Sequence, residues 1–225
     1  MNKIFQDFQN EFNEEFELKQ KIRTQTKQIT KINQKIEHVL IDIHDEFDDF
    51  SNIFEKILNL IPKFKEQLEK VVLLIPEEQY HKYDSGLKFE IINIIYALSF
   101  VTFLKSGDLI TIQKIKELIL NKEKLGLKYE LIIEKQDYLN GISKVSSQLS
   151  RYCVNCARNE KYEIIENICD FLGKINLGLE LLKSKNEGLK KKHEFIKRDL
   201  KKIEKLIYDI EKTNQIKKIL SNQKN

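Results

Sequence analysis

An apolar residue recurs at helical spacing through almost fifty residues, with neither proline nor glycine to interrupt the series. Phe5, Phe8, Phe12 and Phe16 begin it, and Ile22, Ile29, Ile32, Ile36, Val39, Ile43, Phe47 and Phe50 continue it. Steps of three, four and seven, with one of six between Phe16 and Ile22, keep these residues on one side of a 3.6-residue helix, whereas a half-buried strand needs strict alternation. At 1.5 Å per residue such a helix is about 70 Å long. A compact globule of 225 residues is only about 45 Å across. The helix therefore runs along an elongated bundle or carries its apolar stripe onto another chain.

The remaining sequence reads the same way. Two prolines and seven glycines in the whole chain leave few enforced helix stops. A second helix is predicted from about Ser51 to Leu74, bent near Pro62, and a third from Pro76 to Lys105, stopped by Gly107. From Ile91 to Leu104 the third is apolar on nearly every side, which makes it the expected centre of the core. A short helix over Thr111–Ile119 precedes a loop candidate at Leu120–Lys128. Three more helices are expected over Glu134–Ala157, Tyr162–Lys183 and from Leu189 onward. Gly141, Ser143, Ser146, Ser147 and Ser150 give the fifth helix small surfaces that permit close packing. The fold class is thus all-α, an elongated bundle of about seven helices. Residues 1–220 read as one domain and 221–225 as a polar tail.

A composition of 41% apolar and 33% charged residues is that of an ordered, water-soluble chain. The first residues lack the apolar core of a secretory signal, and Ile91–Leu104 is too short to span a bilayer. A cytoplasmic and nuclear protein without membrane contact is the expectation, and Cys153, Cys156 and Cys169 need no bridging there. The net charge of +4 is uneven: residues 1–182 carry about −4 and residues 183–225 about +8. The C-terminal helix is accordingly a candidate surface for an anionic partner, or a solvated face.

Chemistry-bearing motifs are few. No phosphate loop, dinucleotide fingerprint or paired-histidine zinc signature is present. Cys153-Val154-Asn155-Cys156 has half the spacing of a zinc site but no second pair, so buried thiols are the simpler reading and no metal site is assigned. Glu134 and Asp137 lie one turn apart, and Glu90 or Glu130 could approach them. Converging carboxylates of that kind serve Mg²⁺-dependent phosphodiester cleavage, although most such pairs are surface charges.

Several segments together resemble the translin family. They are Ile75-Pro76-Glu77-Glu78-Gln79-Tyr80, then Ile94-Ile95-Tyr96-Ala97-Leu98-Ser99-Phe100, Asp137-Tyr138-Leu139-Asn140-Gly141 and Gln148-Leu149-Ser150-Arg151-Tyr152-Cys153-Val154-Asn155. Leu189-Lys190-Lys191-Lys192 and the run from Asp199 to Asp209 follow in the same order. The resemblance spans roughly residues 50 to 212. It implies a seven-helix subunit of a hollow octamer that binds single-stranded RNA and DNA. It also implies a paralogue, the translin-associated factor X, with which the family forms an RNA-cleaving complex.

That paralogue's catalytic acids fall here on Asn93, Tyr96 and Asp137, of which only the last is acidic. An amide and a phenol cannot replace two anionic Mg²⁺ ligands. The chain thus resembles translin itself, the nucleic-acid-binding member, more than the nuclease partner. Should it cleave RNA in its own right, with Mg²⁺ as cofactor, Glu90, Glu134 and Asp137 are the candidate acids; binding alone requires no cofactor. A helical scaffold without any nucleic-acid role is the third reading. The family's two basic segments retain Lys56, Lys82 and Lys88, with Lys63 and Lys65 as neighbours and Arg151 as a further candidate. Two of its histidines fall on Asp84 and Gly86, and one arginine falls on Leu58, so some phosphate contacts are missing.

Overall fold

The computed structural model describes residues 2–45, 50–126, 128–182 and 187–222. Among these residues there is no strand. The elements are α1 (Asn2–Asp42), α2 (Ser51–Leu58), α3 (Ile61–Leu74), α4 (Tyr80–Tyr83), α5 (Ser85–Ser106), α6 (Ile112–Ile119), α7 (Lys122–Leu125), α8 (Lys128–Leu131), α9 (Lys135–Arg158), α10 (Tyr162–Leu182) and α11 (Glu187–Asn222). Short 3₁₀ turns cover Ile43–Asp45 and Glu77–Gln79.

α1 is one continuous helix of 41 residues, about 60 Å long. It packs on α2, α3 and α5, while α9 packs on α5, α10 and α11. α5 is the helix common to both groups and carries the centre of the core. Ile91, Ile94, Ile95 and Phe100 on it are buried, with Phe103 stacked on Phe171 of α10 at 4.1 Å between ring centroids. The apolar helix is longer than the Ile91–Leu104 stretch suggests, at 22 residues, with a mean hydropathy of 1.7 over its most apolar 18, enough by length and composition for a bilayer span. Here most of its surface is covered by protein instead.

The predicted helices hold, with four refinements. The first ends at Asp42 and gives way to a 3₁₀ turn, short of the stripe's end at Phe50. The second is two helices, because the break falls at Asn59–Leu60 and Pro62 sits in the first turn of α3, where its missing N–H costs nothing. The third does not run unbroken from Pro76. Gln79 leaves helical geometry (φ −113°, ψ 14°), so a 3₁₀ turn and the single turn α4 precede α5. The loop candidate Leu120–Lys128 contains helical turns. Asn121 Oδ1 accepts from the N–H groups of Glu123 and Lys124 at 3.1 and 3.3 Å, starting α7, and Gly126 at φ 53° ends it. Gly107 terminates α5 in the left-handed conformation expected of it, at φ 74°.

Phe47 and the acids Glu46, Asp48 and Asp49 lie outside the described residues, as do residues 223–225 of the polar tail; α11 continues through Asn222, two residues into that tail.

Candidate nucleic-acid interface

α1 passes alongside α4 and the start of α5, and the two walls enclose a groove of about 440 Å³. Lys19, Arg23 and Lys27 stand one turn apart on α1, and Lys82 faces them from α4. Residues four apart on a helix share a face, so a period-four row of cations makes a continuous basic edge. Glu15 sits between Lys19 and Lys82, accepting from Lys82 Nζ at 2.7 Å and pairing with Lys19 as well. Both contacts hold the Glu15 carboxyl below its ordinary range, the Lys19 hydrogen bond first. The Glu15 hydrogen bond in turn raises the pKa of Lys82. Arg23 and Lys27 are exposed and, among the described residues, make no ion pair. The groove therefore presents four basic side chains against two carboxylates, Glu15 and Glu90.

Glu90 closes the bottom of this groove. It is only 5% exposed, and its two carboxylate oxygens accept from Thr30 Oγ1 and Asn33 Nδ2, both at 2.7 Å. Asn33 Nδ2 also donates to the Glu90 carbonyl at 2.9 Å. A buried carboxylate saturated this way ties α1 to α5.

Lys88 is placed differently from Lys82. Its ammonium lies between Asp84 at 3.2 Å and Glu134 at 3.4 Å, linking the start of α5 to the start of α9. Burial pulls the Lys88 pKa down, but the hydrogen bond and charge of Asp84, with Glu134, outweigh it and the net direction is up. Glu134 precedes α9, and its backbone N–H donates to Asp137 Oδ2 at 3.1 Å. Burial raises the Asp137 pKa against the opposing pull of that hydrogen bond and of Lys88. Glu134 and Asp137 thus share one helix end, while Glu90 faces α1. Glu130 is taken up by Lys116 of α6.

The other candidate cations lie far from this groove. His44 at the end of α1 contacts Tyr152, which also contacts Phe50 just before α2. Lys56 on α2 is therefore near the far end of α1, and about 40 Å of helix separates His44 from Glu15. Lys56 and Lys63 are exposed and Lys65 is half-buried, on α2 and the first turns of α3. Arg151, exposed on α9, lies between Gln148 and Asn155, both of which reach His44. The chain thus carries two separate basic regions, Lys82 beside Glu15 in the first half of α1 and Lys56, Lys63, Lys65 and Arg151 toward its C-terminal end.

Lys19, Arg23 and Lys27 escape a reading centred on α2–α5. Their signal is nonetheless in the sequence: Lys19, Arg23, Lys27, Lys31 and Lys35 recur every four residues.

The sequence profile of the translin family matches residues 17–211. The chain belongs to the translin family. Translin from cattle is 26% identical over 213 residues, covering 93% of this chain and 92% of the relative, and human translin matches to the same extent. Chicken translin is 28% identical over 164 residues, covering 73% and 71%. These relatives are all translins, so within the family the resemblance is to translin itself. Among solved structures, the crystal structure of apo-NeC3PO shares the fold, with a TM-score of 0.62 and 18% identity over 92% of this chain and 96% of that one.

In this translin-family chain Asn93 and Tyr96, on which the resemblance places the paralogue's glutamates, sit in a pocket between α1, α5 and α9. Asn93 Oδ1 accepts from Lys144 Nζ at 2.6 Å, so a cation stands beside the first of them. Tyr96 is stacked on Phe100 at 6.2 Å, and burial, with the Glu37 charge, pushes its pKa up. Cys153 and Cys156 are buried thiols and Cys169 is half-buried. Burial drives all three pKa values up, that of Cys156 to about 11, the reverse of what a reactive thiolate requires.

Proposed function

We propose that this protein is a single-stranded RNA- and DNA-binding subunit of a homo-oligomeric shell, in the manner the translin resemblance implies. The observation that carries this reading is the groove between α1 and α4–α5. Its Arg23 and Lys27 are uncompensated cations spaced for successive phosphates, and Lys19 and Lys82 share one carboxylate. Lysine and arginine contacts of this kind grip the backbone rather than base edges, so binding is strong, salt-dependent and weakly sequence-selective. The distant Lys56, Lys63, Lys65 and Arg151 region cannot meet the same few nucleotides within one subunit. In a shell it serves a strand passing between subunits, where several weak contact sets act together.

The subunit supports RNA processing beside a catalytic partner rather than supplying the acids itself. Asn93 bonded to Lys144 puts positive charge where a cleaving subunit needs metal-binding carboxylates. A paralogue resembling the translin-associated factor X is the partner of choice, acting in the cytoplasm and nucleus.

Anisotropy of a labelled single-stranded RNA, titrated at several salt concentrations, tests the binding. Affinity is expected to fall linearly with salt on logarithmic axes, and Arg23→Ala/Lys27→Ala to lower that slope by about 1.4. Undetectable binding by the wild-type chain at low salt would sink the reading.

A further inference from the structure

α5, α9 and α11 leave a second groove, on whose rims stand two exposed aromatic rings. Phe89 of α5 is 58% exposed and Phe195 of α11 is 57% exposed. Each carries a cation on one face: Lys144 Nζ lies 5.0 Å from the Phe89 ring centroid, and Arg198 Cζ lies 4.5 Å from that of Phe195. Lys192 lines the same groove. Through Lys144 and Ser147 the groove joins the pocket that holds Asn93 and Tyr96.

The local carboxylates do not neutralise these cations. Asp199, on the α11 turn beyond Phe195, is buried and spent on Lys202, Ser146 and Ser147. Glu90 is saturated by Thr30 and Asn33, and Glu37 reaches Lys144 only through space. Among the described residues the Lys144 ammonium bonds the neutral amide of Asn93 and no carboxylate. Glu194 neighbours Phe195 in sequence but lies toward His193, 3.7 Å away.

We infer that Phe89 and Phe195, flanked by Lys144, Lys192 and Arg198, form a stacking platform on which unpaired nucleobases of a single strand rest while the cations take the adjoining phosphates. Exposed rings with cations beside them suit a polymer that alternates flat apolar faces with negative charge. A purely apolar protein partner would gain nothing from the three cations, and a duplex keeps its base faces stacked and out of reach. The inference rests on the single-strand reading above but uses none of the residues of the α1 groove. It adds a base-dependent contribution to the backbone grip of the α1 groove.

The test compares two labelled strands of about 12 nucleotides, one oligothymidylate and one abasic, which share phosphates and differ in bases. The full-length wild type is expected to bind the thymidylate about tenfold more tightly or better. Phe89→Leu/Phe195→Leu, which keeps apolar bulk but removes the aromatic faces, should cut that ratio about fivefold or more and leave abasic binding unchanged. Phe195→Tyr should preserve it, and Lys144→Gln should weaken both strands and lower the salt slope by about 0.7. Both rings are exposed, so the variants should fold, which circular dichroism verifies. Equal wild-type affinity for the two strands, or a leucine variant with undiminished preference, overturns the platform while leaving the α1 groove standing. Binding of neither strand overturns both.

Discussion

Asp199 shows how much of the bundle depends on single polar contacts. It is 6% exposed, and its Oδ2 accepts from Ser146 and Ser147 of α9 at 3.0 and 2.9 Å while Oδ1 accepts from Lys202 at 2.9 Å. Burial pushes its pKa up, but Lys202 and the two hydroxyls outweigh burial and hold it below the ordinary aspartate value. A carboxyl whose folded pKa is depressed stabilises the fold above its unfolded pKa, and that stability is lost as pH falls through the folded one. Asp199→Ala should therefore cost about 2 kcal/mol at pH 7. The gap to wild type should shrink as pH falls from about 4 toward 2 in urea unfolding curves; a gap that does not change with pH would count against the assignment. Glu90 teaches the same lesson from the other side. In the sequence it is a free carboxylate and a candidate metal ligand. Its partners Thr30 and Asn33 lie sixty and fifty-seven residues away, and no local pattern pairs them.

Between elements, α9 crosses α5 closely at Gly141. A Cβ built there would lie 2.3 Å from Ile95 Cγ2 and 2.7 Å from Ile95 Cβ. Alanine is the better helix former by about 1 kcal/mol, but the Ile95 Cβ is fixed to the α5 backbone and cannot move aside. Gly141→Ala is thus expected to destabilise by about 1–3 kcal/mol net, read as a thermal midpoint several degrees lower; an unchanged or raised midpoint would show that α5 and α9 separate freely. The small residues of this helix announced a close approach in the sequence. Which neighbour approached, and that a methyl group at Gly141 would meet Ile95, depended on the crossing geometry. Helix ends followed the same division. Gly107, Thr111 and Pro62 punctuate the chain by local chemistry, whereas the break at Gln79 falls on a residue that is no helix breaker.

At the scale of the molecule, α1 outruns the bundle it belongs to. Phe5, Phe8, Phe12 and Phe16 are 65, 49, 70 and 62% exposed, and Ile22 is the first buried residue of the helix. A contiguous apolar stripe left in water marks an interaction surface. In the proposed shell it meets another subunit. Phe8→Asp/Phe12→Asp should lower the solution mass measured by sedimentation, with helicity retained, because neither side chain touches the core. Unchanged mass would place the subunit contact elsewhere.

The sequence by itself determined the helical class and the apolar stripe, since periodicity is a property of the chain alone. It also carried the family's spaced motifs and the absence of two acids at positions 93 and 96. Where α1 ends, at Asp42 rather than Phe50, and that its first turns stand clear of the bundle came from the structure. Tertiary structure decided which charges are available. Lys88 is held by two carboxylates, while Arg23 and Lys27 stand open. Lys144 reaches Asn93 across fifty-one residues, and Phe89 and Phe195 face one groove from different helices. The strength of a charge or a ring as a ligand depends on what surrounds it within a few ångströms, and those neighbours come from remote parts of the chain.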